Sequence, residues 1–198
     1  MSYDAELKTA TEAAIAAGAV QIDRRKKGLH VETKPDRSPV TEVDTLCETV
    51  IRDMLTKQFP RDGFLGEETG EGKGSSGRKW IVDPLDGTRP YIRGLPTFSV
   101  LIALEDGGEL VAGCIHLPAM GELYVAQKGK GAFCNNSRIH VSSTDAPDHV
   151  FGSGFGFVEK AETSEGKALV SLMQQWDYAY GFMDAILVIE GKKDEHIL

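Results

Sequence analysis

The stretch Trp80-Ile81-Val82-Asp83-Pro84-Leu85-Asp86-Gly87-Thr88 constrains this chain more than any other. An apolar strand runs straight into two carboxylates three apart on a Pro/Gly turn, and a hydroxyl and a helix start follow. Upstream, Phe64-Leu65-Gly66-Glu67-Glu68-Thr69 repeats the theme of an apolar run ending in acids beside a glycine. Brought together without a counterion, Asp83, Asp86 and Glu67 would repel and raise one another's pKa values. A divalent cation removes that conflict, and oxygen-only ligands favour Mg²⁺, Mn²⁺ or Ca²⁺ over zinc. Pro84 fixes φ and Gly87 permits close backbone approach, so the Leu85 carbonyl can turn inward as a further ligand. The amides of Gly87 and Thr88 would face outward at a helix start and offer an anion site. Asp86, Gly87 and Thr88 are therefore the candidate phosphate-binding residues. The competing reading of Asp83–Gly87 is an ordinary turn whose Asp side chains bond nearby amides.

The ordered set Gly66-Glu67-Glu68, Trp80 to Thr88, and Gly94-Leu95-Pro96 followed by Phe98-Ser99-Val100-Leu101-Ile102-Ala103-Leu104 resembles the inositol monophosphatase family of Mg²⁺-dependent phosphatases. Lys34 to Asp44 is similar to the family's loop into its second helix, and Gly113 to Pro118 and Gly129 to Asn135 to its central hairpin region. The resemblance runs from near residue 5 to about residue 157. It implies a layered αβαβα sandwich within the α+β class, with a metal/phosphate-binding domain over residues 1–145 and the start of a C-terminal α/β domain over 146–198. It also implies that Glu67 and the Thr88 hydroxyl orient and help deprotonate a water. On the site chemistry, Mg²⁺ held by Glu67, Asp83, the Leu85 carbonyl and Asp86 would activate that water for in-line attack on phosphorus.

Departures from the family pattern refine the expectation. After Asp-Gly-Thr this chain has Arg89-Pro90-Tyr91-Ile92-Arg93-Gly94, which together with Asp36-Arg37-Ser38-Pro39-Val40-Thr41 leans toward the histidinol-phosphatase-like branch. Arg89 and Arg93 are candidates for substrate contact, or simply solvated cations. The family's distal metal-ligand Asp sits in a Trp-Asp-x-Ala motif, and Trp176-Asp177-Tyr178-Ala179 offers one match. A competing alignment places Tyr180 to Asp194 on the segment before that motif, so that the C-terminal part is incomplete and the distal ligand absent. Two functional classes follow: hydrolysis of a small phosphate monoester, histidinol phosphate or inositol monophosphate in class; or an inactive metal- and phosphate-binding relative or fragment acting as an assembly subunit.

The formal net charge of −8 argues against nucleic acid or anionic membrane as partners. With no apolar signal segment and no run of membrane-spanning length, the expectation is a cytoplasmic protein. The expected partners are a small phosphorylated metabolite and a second copy of the chain in a homodimer. Cys47, Cys114 and Cys134 are widely spaced and odd in number, which suggests reduced structural thiols. The five histidines have no metal-like spacing.

The pattern along the chain predicts an amphipathic helix over residues 4–26, with Leu7, Thr11, Ala14, Ile15 and Ile22 inward and Gly18 allowing a close neighbour. A second helix lies between Thr41 and Phe59, its apolar face Val43, Leu46, Cys47, Val50, Ile51, Met54 and Leu55. Thr41 is its N-cap, and Asp44 reads as a capping carboxylate or, by resemblance, as a neighbour of the metal cluster. Residues 71–78 read as an exposed loop. A hairpin over Thr97–Leu104 and Leu110–Ile115 follows, then short strands at 123–126, 132–134 and 139–141, giving a largely antiparallel sheet. Gly152 to Gly156 lacks a dinucleotide-fingerprint spacing and reads as a strand-to-loop element.

Overall fold

Small residues set the packing of the first helix, α1 (Asp4–Lys27), in a computed structural model that describes residues 2–28, 31–33, 39–141, 152–154 and 195–197. Its buried face is Ala10, Ala13, Ala14, Ala17, Gly18 and Gln21. This corrects the expected face: Ile15 is exposed, and Leu7 and Ile22 flank the core without being fully buried. The stripe of small side chains lets the helix lie close on the sheet. A Cβ on Gly18 would sit 2.6 Å from Cε1 of His116, whose Nδ1 lies 3.1 Å from the Ala14 carbonyl.

Two short strands, β1 (Val31–Thr33) and β2 (Pro39–Thr41), pair antiparallel before the second helix, α2 (Glu42–Gln58). The sequence pattern alone reads as loop here, and the pairing corrects it. The predicted cap of α2 is present: Thr41 Oγ1 accepts from the Val43 N–H, while Asp44 Oδ2 accepts from the Thr41 N–H at 2.7 Å. Val43, Cys47, Ile51 and Leu55 are buried as the 3.6-residue period requires, and Leu46, Val50 and Met54 are half-buried. Asp44 and Glu48 are buried with them.

The sheet contains β3 (Gly63–Gly66), β4 (Gly70–Gly72), β5 (Arg78–Asp86), β6 (Ser99–Asp106), β7 (Glu109–Leu117), β8 (Glu122–Gln127), β9 (Gly131–Cys134) and β10 (Ser137–Ile139). Their spatial order is β10-β9-β8-β7-β6-β5-β3-β4. Pairing is antiparallel from β9 to β5, whereas β3 runs parallel to β5 with Gly66 opposite Val82. The strand β4 corrects part of the expected loop at 71–78; it pairs with β3 through backbone atoms that its Gly-rich sequence does not advertise. The last expected strand is shifted back from 139–141 to Ser137–Ile139, because Asn135 and Asn136 adopt positive φ and form the turn after β9. Both helices pack on the central strands, α1 against β6 and β7 and α2 against β5. Trp80, Val82, Leu85, Phe98, Val100, Ile102 and Leu104 fill the core beneath them.

The chain divides into two units, Met1–Arg138 and Ile139–Leu198. In the second, β11 (Gly152–Gly154) pairs in parallel with β12 (Glu195–Ile197). Trp176, Asp177 and the competing segment Tyr180 to Asp194 lie outside the described residues.

Candidate active site

The parallel pairing of β3 and β5 explains why the acids meet. With Gly66 opposite Val82, the next residue on each strand is an acid, Glu67 beside Asp83. The Glu67 N–H donates to the Val82 carbonyl at 3.1 Å, continuing the ladder to the strand ends. The Glu67 and Asp83 carboxyl groups are hydrogen-bonded to each other. Two carboxyl groups this close raise the cost of ionising Asp83.

Beyond Asp83 the register against β6 shifts, with Asp83 opposite Leu101 and Asp86 opposite Ser99. Pro84 and Leu85 make up the irregularity, and their side chains are buried. The Leu85 N–H donates to Asp83 Oδ1 at 3.1 Å, and Ser99 Oγ donates to Asp86 Oδ2 at 3.4 Å. Gln21 on α1 holds the turn from below, its Nε2 donating to the Pro84 carbonyl at 2.9 Å. Gly87 has φ +80, and a Cβ on it would lie 2.7 Å from the Thr97 carbonyl oxygen, so a glycine is required. A hydrogen bond from the Gly87 N–H reaches the Asp86 carboxylate. The helix that follows, α3 (Thr88–Ile92), is a single five-residue turn. Thr88 Oγ1 lies 3.0 Å from the Leu85 carbonyl and 3.2 Å from Asp44 Oδ1.

Electrostatics mark the same residues. Burial raises Asp83 first, and the charges of Glu67 and Asp86 raise it further. Burial pushes Asp86 up to about 6, with Glu67 adding to the effect and the Ser99 hydroxyl opposing it. Asp44 is also raised by burial, against the hydrogen bonds from Thr41 and Thr88. Carboxyls raised in this way sit in surroundings that disfavour their charged form, as at functional sites. Oxygen donors of this kind suit a hard divalent cation. Among the described residues no three His, Cys, Asp or Glu side chains converge tightly enough to hold a metal as they stand, so the fit is one of donor chemistry.

Residues 3–195 match the sequence profile of the inositol monophosphatase family. The chain belongs to that family. It is 45% identical over 139 residues to a histidinol-phosphatase of Chlorobaculum parvum, an alignment covering 70% of this chain and 54% of that protein. It is 42% identical over 148 residues to an inositol-1-monophosphatase of Rhizobium meliloti, covering 74% and 55%. The chain thus spans about half the length of these two relatives. Among solved structures, the extragenic suppressor protein suhB of Bartonella henselae superposes with a TM-score of 0.85 at 32% identity, over 97% of this chain and 77% of that one. The fold is that of the inositol monophosphatases.

Within this family member, Glu67, Asp83, Leu85, Asp86, Gly87 and Thr88 fall in one turn-and-strand-end cluster. Asp44 joins it through Thr88 and is also the cap that spacing suggested. Arg89 and Arg93 are exposed, with no described contact to the cluster. His116 is spent on packing against α1. No disulfide forms, since Cys47, Cys114 and Cys134 are free thiols and burial pushes Cys47 and Cys114 up to about 12. No described helix is long and apolar enough to cross a membrane. Glu48 is a further member of the site's surroundings that the motifs do not mark. Its position between Cys47 and Ile51 on the apolar face was the available signal.

Proposed function

We propose that this chain is a Mg²⁺-dependent phosphomonoesterase acting on a small phosphorylated amino alcohol or polyol, of which histidinol phosphate is the first candidate and inositol 1-phosphate the second. The observation that carries the reading is the hydrogen-bonded Glu67–Asp83 pair beside Asp86, delivered by adjacent parallel strand ends. Glu67, Asp83, Asp86 and the Leu85 carbonyl would hold the cation. When bound, it supplies a water of lowered pKa and positive charge for the phosphate oxygens.

The chain's own residues do the rest. Glu67, exposed at the end of β3, accepts the proton of the attacking water. The Thr88 hydroxyl, held between Asp44 and the Leu85 carbonyl, fixes the orientation of that water. The Thr88 amide and the Gly87 turn face the phosphate. The histidinol-phosphate preference is supported by the similarity to the Chlorobaculum protein and by the Arg89–Gly94 segment.

The test is phosphate release from histidinol phosphate and inositol 1-phosphate, with Mg²⁺ and with EDTA, for the wild-type chain and Glu67→Gln. Mg²⁺-dependent release that Glu67→Gln lowers by roughly 10²-fold or more is expected. Wild-type release no faster than that of Glu67→Gln would rule the enzyme reading out.

A further inference from the structure

We propose that Glu48 is the positioning residue for Glu67: its buried carboxylate clamps the Glu67–Thr69 backbone and thereby sets where the Glu67 side chain stands. Glu48 is 0% exposed, an unusual place for a carboxylate. Its Oε2 accepts from the Glu68 N–H at 2.7 Å and its Oε1 from the Thr69 N–H at 3.0 Å. The Thr69 hydroxyl also donates to Oε1. Arg52, one turn further along α2, lies 3.5 Å from the same oxygen and donates to the Thr69 hydroxyl, while its guanidinium stacks 4.2 Å over the Phe64 ring.

With the Glu67 N–H on the Val82 carbonyl, three consecutive amides are committed to fixed partners. The Glu67 peptide is pinned on both sides, which fixes the point from which its side chain leaves the backbone. Gly66 belongs to the same device, since a Cβ there would run into the Glu48 carboxylate. The Gly66-Glu67-Glu68-Thr69 sequence is thus shaped around an acid that lies nearly twenty residues upstream. Along α2, Asp44 reaches the Thr88 turn and Glu48, one turn on, reaches the Glu67 turn. One helix therefore holds both halves of the site in a common frame.

The kinetic part of this inference rests on the phosphatase reading; the structural part does not. The experiment compares wild type with Glu48→Gln, Thr69→Val and Arg52→Met in the full chain. It measures amide hydrogen exchange at residues 67–69, Mg²⁺ binding by calorimetry, and kcat and KM for phosphate release. Glu48→Gln keeps the side-chain shape but leaves one of the two amides facing an NH₂ group. Faster exchange confined to residues 67–69, Mg²⁺ affinity lowered roughly tenfold, and a fall in kcat with KM little changed are expected, with Thr69→Val showing the same direction to a smaller extent. Wild-type exchange and Mg²⁺ affinity in Glu48→Gln would overturn the proposal. If Glu48→Gln fails to fold, Thr69→Val and Arg52→Met decide: accelerated exchange at residues 67–69 supports the clamp, and unchanged exchange overturns it. A wild-type chain that releases no phosphate sinks the phosphatase reading, while the exchange contrast still decides the role of Glu48.

Discussion

The Thr88 hydroxyl lies 3.2 Å from Asp44 Oδ1, while the other oxygen of the same carboxylate accepts from both the N–H and the hydroxyl of Thr41, at 2.7 and 2.6 Å. One carboxylate therefore caps α2 and borders the site turn. The two roles divide between its two oxygens, which is why neither excludes the other.

That division makes the two effects separable by mutation. Asp44→Ala removes its half of the capping box and the site contact together, and should lower stability by about 1 kcal/mol, read as a lower melting temperature. Thr88→Ala keeps the cap and should melt close to wild type, yet lose most phosphate release. In Asp44→Ala/Thr88→Ala the activity losses should fall short of additive, because each substitution breaks the same Asp44–Thr88 link. Fully additive losses would mean that the two residues act independently.

The raised carboxyl pKa values of the metal-free protein give a pH dependence with a definite sign. Asp86 is pushed up to about 6 and Asp83 is raised as well, both chiefly by burial. A carboxyl that holds its proton more tightly when folded than its unfolded value near 4 stabilises the fold fully below that value. The contribution is lost as pH rises through the folded pKa. In EDTA the melting temperature should therefore fall between about pH 5 and pH 8. Mg²⁺ binds the ionised forms, so its stabilising shift should be larger at pH 8 than at pH 5. A shift that shrinks as pH rises would contradict this assignment of the carboxyls.

The sequence showed what local chemistry determines. Thr41 and Asp44 stand at capping-box spacing, α2 repeats its apolar residues at the helical period, and Trp80–Val82 runs into an Asp-Pro-Leu-Asp-Gly turn that only Gly87 can close. What escaped it depends on partners distant in the chain. The place of Glu48 on the apolar face of α2 is legible, but the Glu68 and Thr69 amides that occupy its carboxylate are not. The parallel pairing of β3 with β5 leaves no local trace, and β4 carries two glycines and no apolar residue. On α1 the periodic Leu and Ile pointed to one face, but the sheet is approached through Ala and Gly, whose small size matters more than their hydrophobicity.

Gly87→Ala tests the turn that carries both Asp86 and Thr88. A side chain at φ +80 is strained in itself, and its Cβ would be driven to 2.7 Å from the Thr97 carbonyl oxygen. A loss of about 1–3 kcal/mol is expected in urea unfolding, with activity falling further than stability because Thr88 moves with the turn. An unfolding midpoint equal to wild type would mean that the turn accommodates a Cβ, contrary to the contacts observed.

Gln21 offers the sharpest check on how the turn is held from beneath. It is fully buried; its Nε2 donates to the Pro84 carbonyl at 2.9 Å, and its backbone carbonyl accepts from Tyr91 Oη at 2.7 Å. Among the described residues its side-chain Oε1 has no partner, so a donor, not an acceptor, is what the position uses. Gln21→Leu leaves the Pro84 carbonyl unpaired and should cost about 1–3 kcal/mol, partly offset because the unpartnered oxygen is removed as well. Gln21→Glu should cost more at pH 8, where a buried carboxylate would face a carbonyl oxygen. Lowering the pH to 5 should recover much of that loss, since burial raises the folded pKa of such a group and the protonated acid can donate where the amide did. A Gln21→Glu chain whose stability deficit is the same at both pH values would show that the side chain turns away from Pro84, and that the turn is held by its own Asp83 and Asp86 bonds alone.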